Sequence, residues 1–303
     1  MLKFVKIFFL PLFIAALLAC NQYLKSENAQ TPKYSFEVKQ LDSSTHNKYS
    51  WLANYDVSQN IVNRIPVPKG FTRVSVEKGS FQDWLRHLPL KKEGSAVNLY
   101  DGSLKYNQDA HFAVINIDAG SEDLQQCADA CMRLKAEYLF SKKDFENIHF
   151  KFTSGDNATW DMWKEGFRPQ IKGNKVSWIK KAGKDESYKN FKSYLKTVFN
   201  YCGTYSLSNE MLSIKMEEIK AGDLFIKGGF PGHAVIVVDI AENKTTGEML
   251  FMVAQSYMPA QDIHILKNSI NESLNPWYSV NFGEQLNTPE WTFDRNQLKR
   301  FKQ

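Results

Sequence analysis

The stretch Gly228–Ile240, with the sequence GGFPGHAVIVVDI, decides the fold of this chain. Glycine and proline, which are typical of turns, precede His233, and the run that follows it is apolar except for Asp239. A short continuous apolar run bounded by turn residues is typical of a strand buried on both faces. A histidine at the start of such a strand is either hydrogen-bonded to a turn carbonyl or held there for chemistry. The sequence leaves both alternatives open.

Other strand-like segments flank this one. GDLFIKGG (222–229) comes before it, and EMLFMVAQSY (248–257) and DIHIL (262–266) come after it, with turn residues between them. Successive strands joined by short turns pair in an antiparallel manner. The C-terminal part of the chain therefore predicts an antiparallel meander.

The strongest helical pattern lies upstream, in SEDLQQCADACMRLKAEYLFSKKDF (121–145). Its apolar residues, Cys127 and Cys131 among them, recur at spacings of three and four and so share one face of the helix. Asp123 with Gln126 fits a capping box, which predicts that the helix begins just before Cys127.

Length and charge limit the remaining choices. The chain has 303 residues and a formal net charge of +5, and 43% of its residues are hydrophobic, enough to form a core. A second helix is predicted over 187–202, so helices come early and an antiparallel sheet comes late, which is the α+β class. We predict a single domain over residues 34–303. No basic stripe is present, so nucleic acid is not expected as a partner.

The N-terminus predicts export. Residues 1–19 combine two lysines with a short apolar run, as in a secretory signal peptide. The ending LLAC (17–20) resembles the lipobox of bacterial lipoproteins, in which the cysteine becomes the first residue and is acylated, with palmitate among the usual chains. Lipid on Cys20 would anchor the protein to a bacterial membrane, at the outer membrane or the periplasmic face, and residues 20–33 would form a flexible tether. An ordinary signal peptide with a chance cysteine is the alternative.

Three cysteines remain beyond Cys20, and an odd count in an exported protein leaves at least one thiol unpaired. Cys127, at a helix start, lies at the positive end of the helix dipole, which favours the thiolate. Cys131 lies one turn deeper and is expected in the core. Cys202 remains open as a disulfide partner, a buried small residue or a rival nucleophile. No metal-ligand spacing connects the histidines and cysteines, so no metal and no other cofactor is expected.

Cys127, His233 and Gln255 form the predicted catalytic set. A thiolate serves as nucleophile, an imidazole as its base, and a third polar group orients the imidazole. If the turn centres near NKTTG (243–247), His233 lies opposite Tyr257 and Gln255 faces the same side of the sheet. A slip of one residue would send Gln255 to the other face. A core thiol, a turn-bonded histidine and an amide that satisfies a buried backbone group are the structural alternatives.

A separate groove is predicted within TSGDNATWDMWKEGFRP (153–169). Exposed indoles stack on sugar faces, and guanidinium groups bind carboxylates. Trp160, Trp163 and Arg168 are therefore candidates for binding an envelope glycan or peptide. The alternative is a buried tryptophan pair on a short helix.

Around His233, AGDLFIKGGFPGHAVIVVDI (221–240) resembles the histidine region of the NlpC/P60 and CHAP hydrolases. These papain-like enzymes cut peptide or amide bonds in bacterial cell walls. The resemblance implies a helix carrying Cys127, packed on a C-terminal antiparallel sheet. The chain departs from their pattern in two ways. Gln-Cys-Ala replaces the usual Asp-Cys-Ser/Thr-Gly at Cys127, and the long interval before His233 requires insertions.

Over nearly the whole mature length, the chain is more similar to a family of bacterial lipoproteins and exported proteins, the domain of unknown function 4846 family. The segments that carry this similarity are DLQQCADACMRLKAEYL, FTSGDNATWDMW, GDLFIKGGFPGHAVIVVD, AQSYMPAQDIHIL and NPWY. The family implies no activity. Two functions are therefore predicted as alternatives: a membrane-anchored cysteine hydrolase (a peptidase or amidase) acting on cell-wall peptides, or a non-catalytic scaffold that binds the envelope.

Overall fold

The computed structural model describes residues 48–302, so the predicted signal peptide, Cys20 and the tether lie outside the described residues. Within 48–302, no helix is both long enough and apolar enough to cross a membrane. Helices and strands of this range contribute to one hydrophobic core.

Six α-helices occur in the described range, and two of them are long. They are α1 (Ile61–Arg64), α2 (Phe81–Arg86), α3 (Cys127–Ser141), α4 (Trp160–Lys164), α5 (Tyr188–Tyr201) and α6 (Thr204–Glu210). Side-chain oxygens of asparagine, serine or threonine accept a backbone N–H at the starts of α1, α2, α4 and α5, which fixes where those helices begin.

Helix α3 begins at Cys127, where the sequence predicts its start, but a different acid caps it. The backbone N–H of Gln126 donates to the Asp129 carboxylate at 3.0 Å. Asp123 instead accepts from the Gln126 side chain at 3.0 Å and from the backbone of Ala260 at 2.6 Å. Asp123 therefore ties the segment before the helix to the loop that follows Gln255, at the end of a strand of the sheet.

Fifteen strands form one large sheet and three separate hairpins in the described range. They are β1 (Thr72–Arg73), β2 (His111–Val114), β3 (His149–Lys151), β4 (Asn157–Thr159), β5 (Phe167–Lys172), β6 (Lys175–Lys180), β7 (Leu212–Ser213), β8 (Leu224–Lys227), β9 (His233–Glu242), β10 (Met249–Gln255), β11 (His264–Leu266), β12 (Tyr278–Ser279), β13 (Gln285–Asn287), β14 (Thr292–Asp294) and β15 (Leu298–Arg300). The hairpins are β3–β4, β5–β6 and β13–β14.

The large sheet has nine strands and is antiparallel throughout. Its order is β2-β11-β10-β9-β8-β15-β7, with β1 also paired to β9 and β12 also paired to β10. Strand β9 is buried along nine of its ten residues, as its apolar run predicts, and helices α2 and α3 pack on it. The predicted α+β class, with a mostly antiparallel sheet, is confirmed.

A register shift in the β9–β10 hairpin decides which way Gln255 faces. Met252 pairs with Asp239, and the register then shifts by one residue before Val253. Residues directly opposite each other point to the same face of a sheet, so a shift of one residue changes which side chains share a face. Without this bulge, Gln255 would face away from His233. With it, the two side chains meet.

The core contains two charged clusters. Asp239, which is fully buried on β9, accepts from Arg73 at 2.6 Å and from Arg86 at 2.7 Å. The spacing of Arg133 and Glu137 predicts a surface ion pair, but both are buried on α3. They are buried because α5 and the segment before α3 cover this face of the helix, which supplies them with additional polar partners.

Candidate active site

A cleft of about 390 Å³ opens where the first residues of α3 and β9 and the segment after β10 meet. Cys127 and His233 both line this cleft, so two elements that are far apart in the chain bring the predicted nucleophile and base to one place. A larger depression of about 730 Å³ lies beside the β13–β14 hairpin. Its lining contains no cysteine or histidine and therefore no comparable pair.

The glycine-rich turn before β9 forms one wall of the cleft. A Cβ on Gly232 would lie only 2.4 Å from the carbonyl oxygen of Gly229, and a Cβ on Gly228 would lie 2.1 Å from Ser208 Oγ. The turn is therefore packed so closely against α6 that side chains at these two positions are excluded. Phe230 is 98% exposed and, with the partly exposed Met258, projects at the cleft mouth.

Cys127 is the first residue of α3. The backbone N–H groups of Cys127, Ala128 and Ala234 are directed at its sulfur and favour the thiolate. Burial outweighs them, and together with the nearby Asp129 carboxylate it raises the pKa of the Cys127 thiol to about 11. At neutral pH the resting group is therefore the thiol, in contrast to the thiolate expected from the helix dipole alone. The difference arises because neighbouring elements cover most of the sulfur, although Cys127 still lines the cleft.

His233 is the first residue of β9 and is 2% exposed. Its ring contacts three aromatic rings, with centroids 4.7 Å from Tyr257, 5.2 Å from Trp291 and 5.8 Å from Phe293. Burial lowers its pKa to about 4, so the imidazole is neutral at pH 7. The ring nitrogen Nε2 is 2.8 Å from Gln255 Oε1.

The Gln255 side chain therefore faces His233, on the side of the sheet that the sequence predicts. The other ring nitrogen of His233, Nδ1, forms no hydrogen bond within residues 48–302. No hydrogen bond joins Cys127 and His233 in the same range, although both line the cleft. Because Nε2 is occupied, Nδ1 is the nitrogen available to the thiol or to a bound group.

The other two thiols of the described range differ in their surroundings. Cys131 is fully buried, as predicted, and donates to the Cys127 carbonyl at 3.4 Å. Cys202, at the end of α5, lines the same cleft as Cys127, and burial raises its pKa further above the usual range than that of Cys127. All three thiols are free. Backbone N–H groups, including that of Ala234 next to His233, favour the thiolate of Cys127, whereas burial and nearby acids disfavour that of Cys202. Cys127 is therefore the better candidate nucleophile.

Two aromatic residues complete the site, and reasoning from the sequence places only one of them, Tyr257, opposite His233. Tyr257 follows Gln255 by two residues, and Trp291 lies on the turn of the distant β13–β14 hairpin; both line the cleft against His233. The segment AQSY carries a signal for Tyr257, since alternate residues share a face near a strand end. Nothing local marks Trp291, because its position depends on how a separate hairpin packs.

The predicted sugar-stacking groove is not formed. Trp160 is fully buried and Trp163 is 5% exposed, so neither indole presents a face to a ligand. The Arg168 guanidinium stacks on the Trp163 ring at 3.9 Å and donates to Asn190 at 3.1 Å. The two tryptophans join α4 to α5 within the core, where apolar area drives their burial.

Among residues 48–302, no three histidine, cysteine, aspartate or glutamate side chains are grouped so as to hold a metal ion. The cleft offers a thiol, a neutral imidazole and the dipoles of the α3 N-terminus.

Iodoacetamide is expected to modify Cys127 slowly near neutral pH, at a rate that rises about tenfold per pH unit between about 7 and 10. Only the thiolate reacts, and its fraction follows the raised pKa of about 11. Mass spectrometry of the Cys127 peptide over time measures the rate, with urea-unfolded protein as the reference for an unburied thiol. A rate that levels off below about pH 8 would instead indicate a preformed thiolate–imidazolium pair.

Comparison with known sequences gives the family. The domain of unknown function (4846) matches residues 61–300, which is most of the chain, so the protein belongs to this family. The match covers all the elements that build the cleft, from α1 to β15. No curated protein and no solved structure matches the chain.

Proposed function

We propose that this protein is a lipoprotein anchored to the cell envelope that acts as a cysteine hydrolase, a peptidase or amidase, on cell-wall peptides. The observation that carries the proposal is that Cys127 and His233 line one cleft while Gln255 holds the imidazole at 2.8 Å. The order of a cysteine on a helix, a histidine on a later strand and an amide on the next strand is also that of papain-like enzymes. This order, together with the resemblance to NlpC/P60 and CHAP hydrolases, supports a papain-like reading of the α+β fold.

The neutral resting groups favour general-base catalysis in this proposal. As Cys127 Sγ bonds to the carbonyl carbon of the scissile amide, the thiol proton passes to His233 Nδ1. Backbone N–H groups at the start of α3 would face the oxyanion. The imidazolium then gives its proton to the departing amine as the C–N bond breaks. Water, deprotonated by the same imidazole, hydrolyses the thioester and restores the thiol. Catalytic contacts that are open without substrate commonly close when substrate binds.

The membrane part of the proposal depends on the N-terminal sequence alone. Acyl chains on Cys20 would hold the domain beside the wall, with residues 20–33 as the tether. Feeding cells a tagged fatty acid tests this, because the Cys20→Ser variant should lose the label. Equal labelling of that variant would contradict the proposed lipid anchor at Cys20.

A non-catalytic envelope-binding scaffold is the second candidate, and one observation favours it. The Cys127 thiol and the His233 imidazole are both neutral at pH 7, which is also how two structural residues would behave. A scaffold would retain envelope binding and show no turnover, because a fold by itself does not determine function.

The experiment that separates the two candidates is a digestion of purified muropeptides by the full mature protein. Chromatography with mass spectrometry detects any new amine and carboxylate pair that differs from a substrate by one water. The hydrolase is expected to produce such pairs from a subset of peptides. Binding to isolated cell walls without any such product would support the scaffold.

A further inference from the structure

A largely buried ion pair lies behind Gln255, on the side away from His233. Glu290 Oε2 accepts from Gln255 Nε2 at 2.7 Å, and the other oxygen of Glu290 forms a salt bridge with Lys105. Lys105 is 6% exposed, which is rare for a lysine, and comes from a segment far from Glu290 in the chain. Burying two charges costs solvation free energy, so such a pair is retained when it serves a further purpose or is strongly bonded.

The surroundings of Gln255 fix the orientation of its amide group. The NH₂ group has two acceptors, the Glu290 carboxylate at 2.7 Å and His264 Nε2 at 3.3 Å. His264 Nε2 is an acceptor because Nδ1 of the same ring donates to the Asp262 carbonyl at 2.9 Å. With the amide reversed, its oxygen would face a carboxylate and an unprotonated ring nitrogen at the same distances, which is repulsive.

The orientation of the amide fixes the tautomer of His233. Gln255 Oε1 is left facing His233 Nε2 at 2.8 Å, and an amide oxygen only accepts, so Nε2 must carry the proton. Nδ1 is then unprotonated and faces the cleft as a base. The opposite tautomer would present an N–H there, which cannot take a proton from a thiol.

We propose that Glu290, held by Lys105, is a positioning residue that sets the tautomer of His233 through the amide of Gln255. Only the consequence for catalysis rests on the proposed function; the tautomer itself does not. Glu290 lies on the turn of the β13–β14 hairpin, and this turn positions its carboxylate. Thr288 closes the turn by donating through Oγ1 to the Trp291 carbonyl at 2.7 Å. The turn residues 288–291 thus place Glu290 behind Gln255 and the Trp291 ring beside His233.

A purely structural ion pair and a positioning pair respond differently to exchange of the two charges. The double variant Lys105→Glu with Glu290→Lys keeps one positive and one negative group in place. It also replaces the carboxylate at position 290, which accepts from Gln255, with a lysine ammonium group, which can only donate. A structural pair tolerates this exchange without effect on His233. A positioning pair turns the Gln255 amide, which then donates to His233 Nε2 and moves the ring proton to Nδ1.

The test is the tautomer of His233, measured in the full mature protein by long-range ¹H–¹⁵N spectra of ¹⁵N-histidine. The His233 signals are assigned by comparison with His233→Asn. We expect only the Nε2–H form in the wild type near pH 7, a mixture of both forms in Glu290→Gln, and mainly the Nδ1–H form in the charge exchange. Glu284→Gln, which changes an exposed acid immediately before the same hairpin, is the matched control and should leave the spectrum unchanged.

Two results would overturn the inference: an Nδ1–H form in the wild type, or an unchanged Nε2–H form in a charge-exchanged variant that melts as the wild type does. If the exchange prevents folding, the spectrum of Glu290→Gln decides, because glutamine is nearly isosteric with glutamate. If muropeptides are cleaved, kcat should fall about tenfold or more in Glu290→Gln with little change in KM. A tautomer shift in a protein that cleaves nothing would leave the positioning role standing and remove the proposed hydrolase.

Discussion

Replacing His233 with asparagine is expected to reduce muropeptide hydrolysis by about a hundredfold or more, which is the usual contribution of a general base. Asparagine cannot take and return a proton at the position of Nδ1. The change should also cost about 1–3 kcal/mol of unfolding free energy, because the imidazole fills a space between Tyr257, Trp291 and Phe293. Initial rates and urea unfolding curves of the same preparations measure both effects.

Val235→Ala is the matched control for that loss of stability. Val235 lies two residues along β9 and is fully buried, so its truncation leaves a cavity of similar cost, about 1–3 kcal/mol. It carries no proton-transfer group, and its hydrolysis rate should stay within about twofold of the wild type once unfolded protein is accounted for. Equal losses of activity in His233→Asn and Val235→Ala would mean that His233 acts through folding alone.

Removing the carboxylate of Asp239 is expected to have the largest effect on stability. In Asp239→Ala, the guanidinium groups of Arg73 and Arg86 lose the fully buried anion that both contact. Breaking a buried ion pair by deleting one partner typically costs about 3–5 kcal/mol, because the remaining charge is left uncompensated. A large fall in the midpoint of urea unfolding should follow.

Asp101→Ala is the control, because Asp101 is exposed and, among residues 48–302, its side chain bonds only within its own loop, to Ser103. Its unfolding free energy should change by no more than about 0.5 kcal/mol. A loss of less than about 1 kcal/mol in Asp239→Ala would show that water reaches Arg73 and Arg86, and that the centre of the sheet is accessible to solvent.

The order of elements could be predicted from the sequence because it depends on local patterns. The apolar run after His233 indicates a strand buried on both faces, and β9 is such a strand. The three- and four-residue spacing around Cys127 indicates a helix, and α3 begins at that residue. These two local patterns are enough to place a thiol on a helix and an imidazole on a strand, in the order of papain-like enzymes.

The parts that could not be predicted depend on contacts between distant segments. No residue pattern in β9 or β10 predicts the bulge that turns Gln255 toward His233. Glu290 and Trp291 lie on the turn of a separate hairpin, whose packing against the site depends on distant contacts. The protonation state of Cys127 also cannot be predicted from the sequence, because it depends on how much of the helix start other elements cover. The position of a helix dipole can be predicted from a sequence, but whether burial outweighs the effect of that dipole on the pKa of the thiol cannot.

The most direct test of the central claim compares the two thiols that line the same cleft. Muropeptide hydrolysis is measured for the wild type, Cys127→Ala and Cys202→Ala, with melting temperatures as a check on folding. We predict that Cys127→Ala loses about a thousandfold or more of the rate, while Cys202→Ala keeps it within about twofold. Hydrolysis that survives in Cys127→Ala, or that disappears only in Cys202→Ala, would contradict the assignment of Cys127 as the nucleophile.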